Sequence, residues 1–461
     1  MHFRIHRSSK EIDSSCVEIW MDEARIVIAT GTAPINNDDS IVVKNGYVFN
    51  KEETESPSRE ELIQKGILPD IPSLYEEGGN TALFICHSHR EHYGLIKHVH
   101  PSCPVWIGKT TYWLTRKTCE FLGKDWQLTN VHYFNFMDTI KIGDIEVHAC
   151  LMDQCSFDDY SFYIQTSYYD IKEYNDYKNI GKKLLYMCNT RHRGKKVFNY
   201  FLKKYVHEID YLLIEGNSTG SNDGKFQTEE DIFEEFVTTF RQTKGINLVF
   251  ISEPDVARIE TIYRACGTCR KTFLIDFYTA SVLKTIHKKA KDTLPFPSRE
   301  NFIDVLVCYP IELSMITEVR EKENEFINHF LNKKYVRYNY YMGDLDKMAD
   351  NLVMLVRPYF QYDLEHYFHK YTDGCFIYSM WEGHKQEDSN KKFLDFIASN
   401  GMRIKNIHTS GYMDLSTLKQ AVETIKPKYL LPIQAFEGDR YAELFPEINV
   451  VRVNDRETIE M

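Results

Sequence analysis

The sequence contains no long apolar run, and none of its stretches reaches the ~18 residues that a membrane-spanning helix needs. Its first residues, MHFRIHRSSKEID, carry charges throughout and contain no apolar core, so we expect no secretory signal. Cysteine is also scarce for a disulfide scaffold, with 11 in 461 residues. We therefore expect a cytoplasmic protein with reduced thiols and no membrane association.

Basic residues are fewer than acidic residues in this sequence. The chain has 56 Lys and Arg against 67 Asp and Glu, which gives a formal net charge of −11. This balance excludes a general nucleic-acid coat protein, although it is compatible with a locally basic cleft. Hydrophobic residues make up 43%, so the chain can bury a large core and global disorder is excluded.

The chain shows no internal repeat and no low-complexity tract, and its length predicts two or three domains or one core fold with a large insertion. Short apolar runs between turn residues predict strands in the first half, among them CVEIW, RIVIAT, ALFIC, VWIG, IEVHACLM, SFYIQT and KLLYMC. From about Tyr211, strand-like runs such as YLLIEG, LVFIS, TFLID and DVLVCYP alternate with helical segments such as EEDIFEEFVTTFRQT and VARIETIYRAC. This alternation, which returns near the end of the chain, predicts parallel βαβ units and an α/β fold class.

A cluster of imidazoles follows one predicted strand. The strand Leu83–Cys86 runs directly into His87, His89, Glu91 and His92. Imidazole nitrogens and a carboxylate at a strand-to-helix turn are ligands that suit zinc or manganese. The sequence therefore predicts a metal site here, and a solvated surface tract of histidines is the alternative.

This cluster resembles the H-x-H-x-D-H signature of the metallo-β-lactamase superfamily. Three further stretches resemble motifs of its β-CASP branch, to which RNase J belongs. The strand YLLIEG with Glu215 is similar to motif A, His408–Tyr412 is similar to H-x-S-G-H, and Lys426–Gln434 is similar to the terminal P-x-H strand. The four motifs occur in the family's order over nearly the whole chain.

The resemblance implies an αββα metallo-β-lactamase fold with an inserted α/β β-CASP domain. In such proteins both ends of the chain build the lactamase-like domain. We accordingly expect its first part at residues 1–215, the β-CASP-like insert at 216–385, and the C-terminal part at 386–461.

The resemblance also implies a ligand set, because active members bind two zinc ions with seven shared side chains. His87 and His89 stand at first-metal positions, and His92 and Glu91 stand at second-metal positions, with Glu91 replacing an Asp. Other family positions have lost their donors: Gln154 replaces the third histidine, Asn189 the bridging Asp, Tyr412 the second histidine of H-x-S-G-H, and Gln434 the final histidine.

These losses leave each metal with about half of its ligands. Two dications ~3.5–4 Å apart repel by roughly 18 kcal/mol at an effective dielectric of ~20, and the neutral amide of Asn189 cannot offset that repulsion. We therefore expect no two-metal centre, and either no ion or at most one weakly bound zinc or manganese. The phenol of Tyr412 is also a poor replacement for an imidazole near neutral pH.

The leading hypothesis is a catalytically degenerate RNase J-like pseudo-hydrolase that acts by binding. No catalytic residue is assigned, although Glu91 and Tyr412 stand at the family's catalytic positions. Contacts to substrate or phosphate are expected from Glu215, Ser410, Gly411 and Arg191. The expected partners are RNA or another phosphate-bearing ligand in the interdomain cleft, an active β-CASP paralogue, or a second copy of the chain.

Two alternatives stay open. His87, His89, Glu91 and His92 could hold a single metal that activates water for ribonuclease or phosphodiesterase chemistry. A purely structural role in a larger assembly predicts neither metal nor nucleic-acid affinity.

Several other features have two interpretations each. Cys86, Cys155 and Cys188 could form a rewired zinc site with His87 and His89, but neighbours on a strand point to opposite faces, which favours core packing. The pair Cys266 and Cys269 is a CxxC, interpreted as a turn before the strand Thr272–Ile275 and alternatively as a metal or redox site.

The basic run Arg191–Lys196 could bind phosphate or be a solvated loop. Tyr338–Tyr341, near Lys333, Lys334 and Arg337, could stack bases or pack between domains.

Overall fold

The structure is a computed structural model. It describes residues 1–7, 9, 16–31, 41–44, 47–50, 58–64, 66, 68–121, 126, 128–152, 157–166, 169–173, 176–179, 181–188, 202–204, 206–216, 226–252, 255–287, 305–308, 343–411, 413–435 and 437–461. In these parts of the chain, no helix combines the length and the apolar content that crossing a membrane requires.

The described residues form a mixed α/β protein with several sheets, and they divide into two compact units. The first unit contains residues 1–115, 126–225 and 411–461, and the second contains 116–125 and 226–410. Residues 386–410 thus belong to the second unit. The expected domain boundaries after residues 215 and 385 stay a prediction.

Helices are numbered here in chain order: α1 (Arg59–Gln64), α2 (Arg90–Tyr93), α3 (Lys109–Phe121), α4 (Glu229–Gln242), α5 (Val256–Cys269), α6 (Phe277–His287), α7 (Gly343–Met348), α8 (Gln361–Tyr367), α9 (Asp388–Ser399), α10 (Leu415–Ile425) and α11 (Arg440–Leu444). Short 3₁₀ turns lie at Pro72–Leu74, Ile96–His98, Ala349–Asn351, Pro358–Phe360 and Glu382–Gln386.

The strands of the first unit are β1 (His2–Arg7), β2 (Cys16–Met21), β3 (Ala24–Ile28), β4 (Ile41–Lys44), β5 (Tyr47–Asn50), β6 (Thr81–Ile85), β7 (Val105–Gly108), β8 (Val131–Phe134), β9 (Thr139–Ile142), β10 (Ile145–Met152), β11 (Asp159–Thr166), β12 (Tyr169–Glu173), β13 (Asp176–Asn179), β14 (Lys183–Met187), β15 (Tyr211–Glu215), β22 (Tyr429–Ile433), β23 (Asn449–Val450) and β24 (Thr458–Glu460). The strands predicted from CVEIW through KLLYMC are confirmed.

Two seven-stranded sheets form the framework of the first unit. The first sheet has the strand order β24-β1-β2-β3-β6-β7-β8, and the second has β23-β22-β15-β14-β11-β10-β9. In the first sheet, the pairs from β24 to β3 are antiparallel and those from β3 to β8 are parallel. In the second sheet, β14, β15, β22 and β23 are parallel neighbours, so their carboxyl ends lie along one edge. The pairs β4–β5 and β12–β13 form two-stranded sheets.

The alternation of side chains along β14 divides its residues between two cores. Leu184, Tyr186 and Cys188 belong to one core cluster, whereas Leu185 and Met187 belong to another. This is the period of two that an extended strand imposes. The first cluster also contains inward residues of the first sheet, so it fills the space between the two sheets.

The same alternation along β6 places three residues in the core between the sheets. Ala82, Phe84 and Cys86 all belong to that cluster. Cys86, just after the last residue of β6, therefore faces the same interior as Cys188, just after the last residue of β14. The outer face of the second sheet packs against α10, whose apolar stripe includes Leu418 and Val422.

The second unit is built on a six-stranded parallel sheet. Its strands are β16 (Asn247–Ile251), β17 (Thr272–Asp276), β18 (Val305–Cys308), β19 (Leu352–Leu355), β20 (Cys375–Ser379) and β21 (Arg403–Asn406). Their spatial order is β18-β17-β19-β16-β20-β21, and every pair is parallel. The βαβ units predicted from the alternation of strand-like and helical runs are confirmed.

Two ion pairs of the second unit differ strongly in burial. Nε of Arg357 donates to Oδ2 of Asp276 at 2.6 Å, and the Tyr359 hydroxyl donates to the same oxygen at 2.6 Å. Arg357 and Asp276 are 5% and 0% exposed, whereas Arg264 and its partner Glu230 are 45% and 63% exposed. The two pairs offer a matched comparison of buried and exposed charge.

The CxxC pair does not lie in a turn. Cys266 and Cys269 occupy the last turn of α5, and the helix ends at Arg270, which adopts a left-handed conformation with φ of 55°. The expected turn is therefore wrong, because the apolar period of VARIETIYRAC continues to Cys269. The strand that follows begins at Thr272, as predicted.

Candidate metal centre

The imidazole cluster begins where β6 ends. The chain leaves the sheet at Cys86, whose carbonyl accepts a hydrogen bond from the Tyr160 amide at 3.0 Å. It then turns into the single helical turn α2, which contains His92. The Thr30 amide donates to the His92 carbonyl at 2.8 Å, and the Leu95 amide donates to the Thr30 carbonyl at 3.0 Å. Hydrogen bonds from the segment after β3 thus hold α2 over the strand ends.

Gly31 allows this close approach. A Cβ atom at residue 31 would lie 1.4 Å from the carbonyl oxygen of Glu91, which no side chain can tolerate. A glycine is therefore required here by the passage of one backbone segment against another.

The three histidines lie against one another. The ring centroids of His87 and His92 are 4.0 Å apart, and those of His87 and His89 are 4.7 Å apart. His87 and His92 are fully buried. Burial, with the nearby charges of His92 and His89, holds the pKa of His87 well below its usual range. His87 is therefore a neutral imidazole near neutral pH, which is the form that binds metals.

His89 and Glu91 form a pair at the margin of the cluster. Nδ1 of His89 lies 3.2 Å from Oε1 of Glu91, and their side chains are 13% and 23% exposed. Burial acts to raise the pKa of the Glu91 carboxyl, but the charge and hydrogen bond of His89 lower it more, to about 2. Glu91 is therefore a carboxylate at physiological pH.

Cys188 approaches the histidines from the second sheet. Its Sγ atom lies 3.5 Å from Nδ1 of His87 and 3.9 Å from Nε2 of His92. The Cys188 amide donates to Oγ of Ser161 at 3.1 Å, which anchors the end of β14 to β11. A thiol and two imidazoles thus meet between the sheets.

Cys86 adds a second thiol beside Cys188 and His92. Burial acts to raise the pKa of its thiol, but hydrogen bonds with Cys188 and His92 lower it to about 6. Burial and the hydrogen bond with Cys86 raise the pKa of the Cys188 thiol well above its ordinary value. The Cys86 thiol therefore loses its proton more readily than the Cys188 thiol.

Two overlapping groups of donors can hold a metal ion. Cys86, His92 and Cys188 form one group, and His87, Glu91 and His92 form the other; in each group the ligand atoms lie within 4.8 Å of one another. Nε2 of His87 and Nδ1 of His92 are buried and have no hydrogen-bond partner among the described residues. Buried polar atoms are normally satisfied, so this cluster fits a metal site better than a packing cluster.

Gln434 carries a buried, uncharged amide at the end of a strand. It directly follows β22, on the edge where β14 and β15 also end, since Met187 pairs with Ile214 and Glu215 pairs with Ile433. Its backbone is left-handed, with φ of 51°, and its side chain is 1% exposed. Neither the amide nitrogen nor the amide oxygen has a hydrogen-bond partner among the described residues.

Three of the residues expected to contact phosphate, Glu215, Ser410 and Gly411, lie in the part of the chain that the structure describes. Oε1 of Glu215 accepts a hydrogen bond from the Met413 amide at 2.8 Å, so this carboxylate anchors the chain that leads into α10. Ser410 is the last residue of the second unit and Gly411 is the first of the returning segment, and both are partly exposed.

Several predicted residues lie outside the described residues, so their interpretations stay predictions. This group comprises Gln154, Asn189, Arg191, Tyr412, Cys155, the basic run 191–196 and the aromatic run 338–341 with Lys333, Lys334 and Arg337.

The sequence analysis did not predict that His92 approaches both Cys86 and Cys188. Core packing was expected for Cys86 and Cys188 because their neighbours on the strand point the other way. Both thiols do lie in the core, but α2 brings His92 back over the strand ends to meet them. The odd-even alternation of KLLYMC and ALFIC carried this signal, because it places both final cysteines on the inward face.

A comparison with solved structures shows a protein that shares the fold of this chain. No protein-family model matches the chain, and no curated protein matches it. A crystal structure of a protein of unknown function from Enterococcus faecalis is similar over 99% of each chain, with 16% identity and a TM-score of 0.67. The metallo-beta-lactamase fold protein YhfI from Bacillus subtilis aligns over 47% of this chain and 71% of its own, with 9% identity and a TM-score of 0.29. The likeness to the Enterococcus protein shows a common fold and no more.

Proposed function

We propose that this protein is a catalytically degenerate hydrolase of the metallo-β-lactamase type, similar to the β-CASP and RNase J branch, and that it acts by binding. The paired seven-stranded sheets, built from both ends of the chain, support this proposal. So does the position of the histidine cluster at a strand end. Most of the second unit, residues 226–410, lies between β15 and β22, which is compatible with an inserted domain.

Gln434 is the observation that carries the proposal. Its amide is buried without a hydrogen-bond partner among the described residues, at the strand end where the resemblance places the final histidine. A primary amide supplies no imidazole nitrogen and no negative charge. A second metal at this edge would lack both the ligand and the charge that it needs.

Binding is then the remaining activity of the scaffold. The chemistry of the motifs favours RNA or another phosphate-bearing ligand, and an intact paralogue or a second copy of the chain is the alternative partner. Because the chain carries a net charge of −11, affinity for RNA would require a local basic surface and would weaken with added salt.

The decisive experiment measures hydrolysis and binding on the same preparation. Single-stranded RNA is incubated with the purified protein, with and without Mn²⁺ or Zn²⁺, and RNA binding is followed by fluorescence anisotropy. We expect no cleavage above the buffer rate. Saturable binding of RNA, or of an intact paralogue in a pull-down, would support the binding role. Cleavage by the wild-type protein would overturn the degenerate assignment, and the absence of both kinds of binding would overturn the binding role.

A restored variant provides the matched control. Gln154→His, Asn189→Asp, Tyr412→His and Gln434→His together reinstate the donors that the resemblance implies. Gain of metal-dependent RNA cleavage by this variant would support the alignment of these positions with the family motifs. A well-folded variant that binds no additional metal would argue against that alignment.

Residual hydrolysis is the second candidate, and one observation favours it. His87, Glu91 and His92 place two imidazoles and a carboxylate within 4.8 Å, which is the ligand type of a catalytic zinc. This candidate predicts metal-dependent cleavage that is lost in His87→Ala. It also predicts that His89→Ala weakens metal binding, because the resemblance places His89 among the ligands.

A further inference from the structure

We propose that Cys86, His87, His92 and Cys188 together bind one Zn²⁺ ion in a closed, tetrahedral site between the two sheets of the first unit. The site goes beyond the proposed function, because it assigns a metal-binding role to two thiols that no catalytic scheme of the proposed kind uses. It also replaces the expected weak ion with a tight structural one.

The distances fit such a site. With Zn–S of about 2.3 Å and Zn–N of about 2.0–2.1 Å, a sulfur and a nitrogen ligand of a tetrahedral zinc lie about 3.5 Å apart. Sγ of Cys188 is 3.5 Å from Nδ1 of His87 and 3.9 Å from Nε2 of His92. Cys86, Cys188 and His92 lie within 4.8 Å of one another through their ligand atoms. His87 joins these three residues through its contact with Cys188, and its ring must turn toward Cys86 for all four donors to surround one ion.

The donor types select zinc. Two thiolates and two neutral imidazoles form a neutral complex with a dication, which removes most of the cost of placing the charge in an apolar interior. The competing set of His87, Glu91 and His92 offers one carboxylate and leaves a net positive charge. Soft sulfur ligands also disfavour manganese and magnesium, which prefer oxygen.

Burial indicates a structural rather than a catalytic ion. Cys86, His87 and His92 are 0% exposed and Cys188 is 3% exposed. A catalytic zinc keeps one coordination position open to water, whereas four protein ligands in a dry interior fill the coordination sphere. On binding, each thiol that is still protonated transfers its proton to solvent, and no other bond changes.

The position of the ligands gives the ion a mechanical role. Cys86, His87 and His92 follow a strand of the first sheet, and Cys188 follows a strand of the second. One ion would therefore join the two halves of the sandwich at the strand ends. Without it, the contacts of Cys188 with the two imidazoles are weak sulfur hydrogen bonds at 3.5 and 3.9 Å, which stabilise buried polar groups less than metal coordination does.

The test compares wild-type protein with variants of one ligand and of two non-ligands. Protein purified without chelator is analysed for metals, and Co²⁺ is then exchanged into the site to record its absorption. We expect about one zinc per chain and thiolate-to-cobalt charge-transfer absorption in the near ultraviolet. Cys188→Ser should lower zinc affinity by more than ~100-fold, because losing a direct ligand costs more than losing a supporting contact.

Two control variants separate this site from the alternatives. Cys150→Ser alters a buried cysteine of the same sheet that faces the opposite core, and His89→Ala alters the histidine that only the hydrolase arrangement uses. Both should keep zinc and the cobalt absorption. Zinc binding that survives Cys188→Ser but is lost in His89→Ala would overturn the proposal, as would a Cys86–Cys188 disulfide in the native protein.

The cobalt spectrum of the wild-type protein tests the proposed site without any variant that could misfold. It reports thiolate ligation directly, so its absence overturns the proposal even when Cys188→Ser fails to fold. None of these measurements depends on RNA cleavage or RNA binding. Failure of the zinc site is thus distinguishable from failure of the proposed function.

Discussion

Nδ1 of His87 lies 3.5 Å from Sγ of Cys188, although the two residues follow strands of different sheets and are separated by 101 positions in the chain. The contact ties the turn after β6 to the end of β14. A substitution that moves the turn after β6 should therefore also displace the end of β14 in the second sheet.

Removal of zinc should destabilise the protein. Ligand binding to the native state adds RT ln(1 + [L]/Kd) to the free energy of unfolding, about 2.7 kcal/mol when free zinc is 100 times Kd. Thermal unfolding in the presence of EDTA should therefore begin at a lower temperature than in zinc-containing buffer. Cys188→Ser should lose this sensitivity, and equal melting of the wild-type protein in both buffers would contradict the expectation.

Gly31→Ala should disturb the centre without changing any ligand. The new methyl group collides with the Glu91 carbonyl, so α2 must move away from the end of β3. We expect a loss of about 1–3 kcal/mol in unfolding free energy, together with weaker zinc binding. Gly267→Ala is the control, because a Cβ there meets nothing within 4 Å and the residue lies inside α5. The control should be neutral or slightly stabilising.

Arg357→Met should be among the more damaging single substitutions in the second unit. It leaves the carboxylate of Asp276 fully buried without its cation, which typically costs about 3–5 kcal/mol. Arg264→Met removes an exposed ion pair instead and should cost less than about 1 kcal/mol. Urea unfolding of both variants measures the contrast, and similar losses would show that burial does not decide the effect.

Glu91 should contribute to stability in a pH-dependent manner. Its folded-state pKa of about 2 lies below the ordinary 4.5, so its contribution is complete above about pH 5 and is lost as the pH falls toward 2. In the presence of chelator, Glu91→Gln should be less stable than the wild-type protein by up to about 3 kcal/mol near pH 6. The difference should shrink steadily on acidification in urea titrations. The exposed Glu76→Gln should change stability by no more than about 0.5 kcal/mol.

Gln434→Met should stabilise the protein. It replaces an amide that is buried without a partner among the described residues by an apolar side chain of similar size, which recovers about 1–3 kcal/mol of desolvation cost. Both residues tolerate the left-handed backbone equally poorly, so that contribution cancels. Denaturant titration measures the change, and a loss of stability would indicate that the amide has an essential partner.

The sequence predicted most of the regular structure because its apolar periods are strong. KLLYMC and YLLIEG became β14 and β15, and EEDIFEEFVTTFRQT became α4, which ends one residue earlier than its motif. In α4, Thr228 and Asp231 form a capping box that fixes the start of the helix. Local signals of this kind depend on neighbours in the chain and need no tertiary information.

The candidate site was only partly predictable. The grouping of His87, Glu91 and His92 followed from their closeness in sequence, but the approach of Cys188 depends on how two sheets stack. The alternation of KLLYMC indicates the face on which Cys188 lies, but not which residues of the other sheet it contacts. The CxxC illustrates a different error, since its sequence indicated a turn while both cysteines lie in the last turn of α5.

The neighbouring parallel strands β15 and β22 are joined by a connection that contains residues 226–410, the longer of the two segments that form the second unit. A parallel pair needs a crossover of only about a dozen residues, and α10 with its flanking loops already supplies that length immediately before β22. Excision of residues 226–410 would thus leave an ordinary β–α–β crossover in place. The strand order of the sheet around β15 and β22 therefore does not depend on the chain between residues 226 and 410.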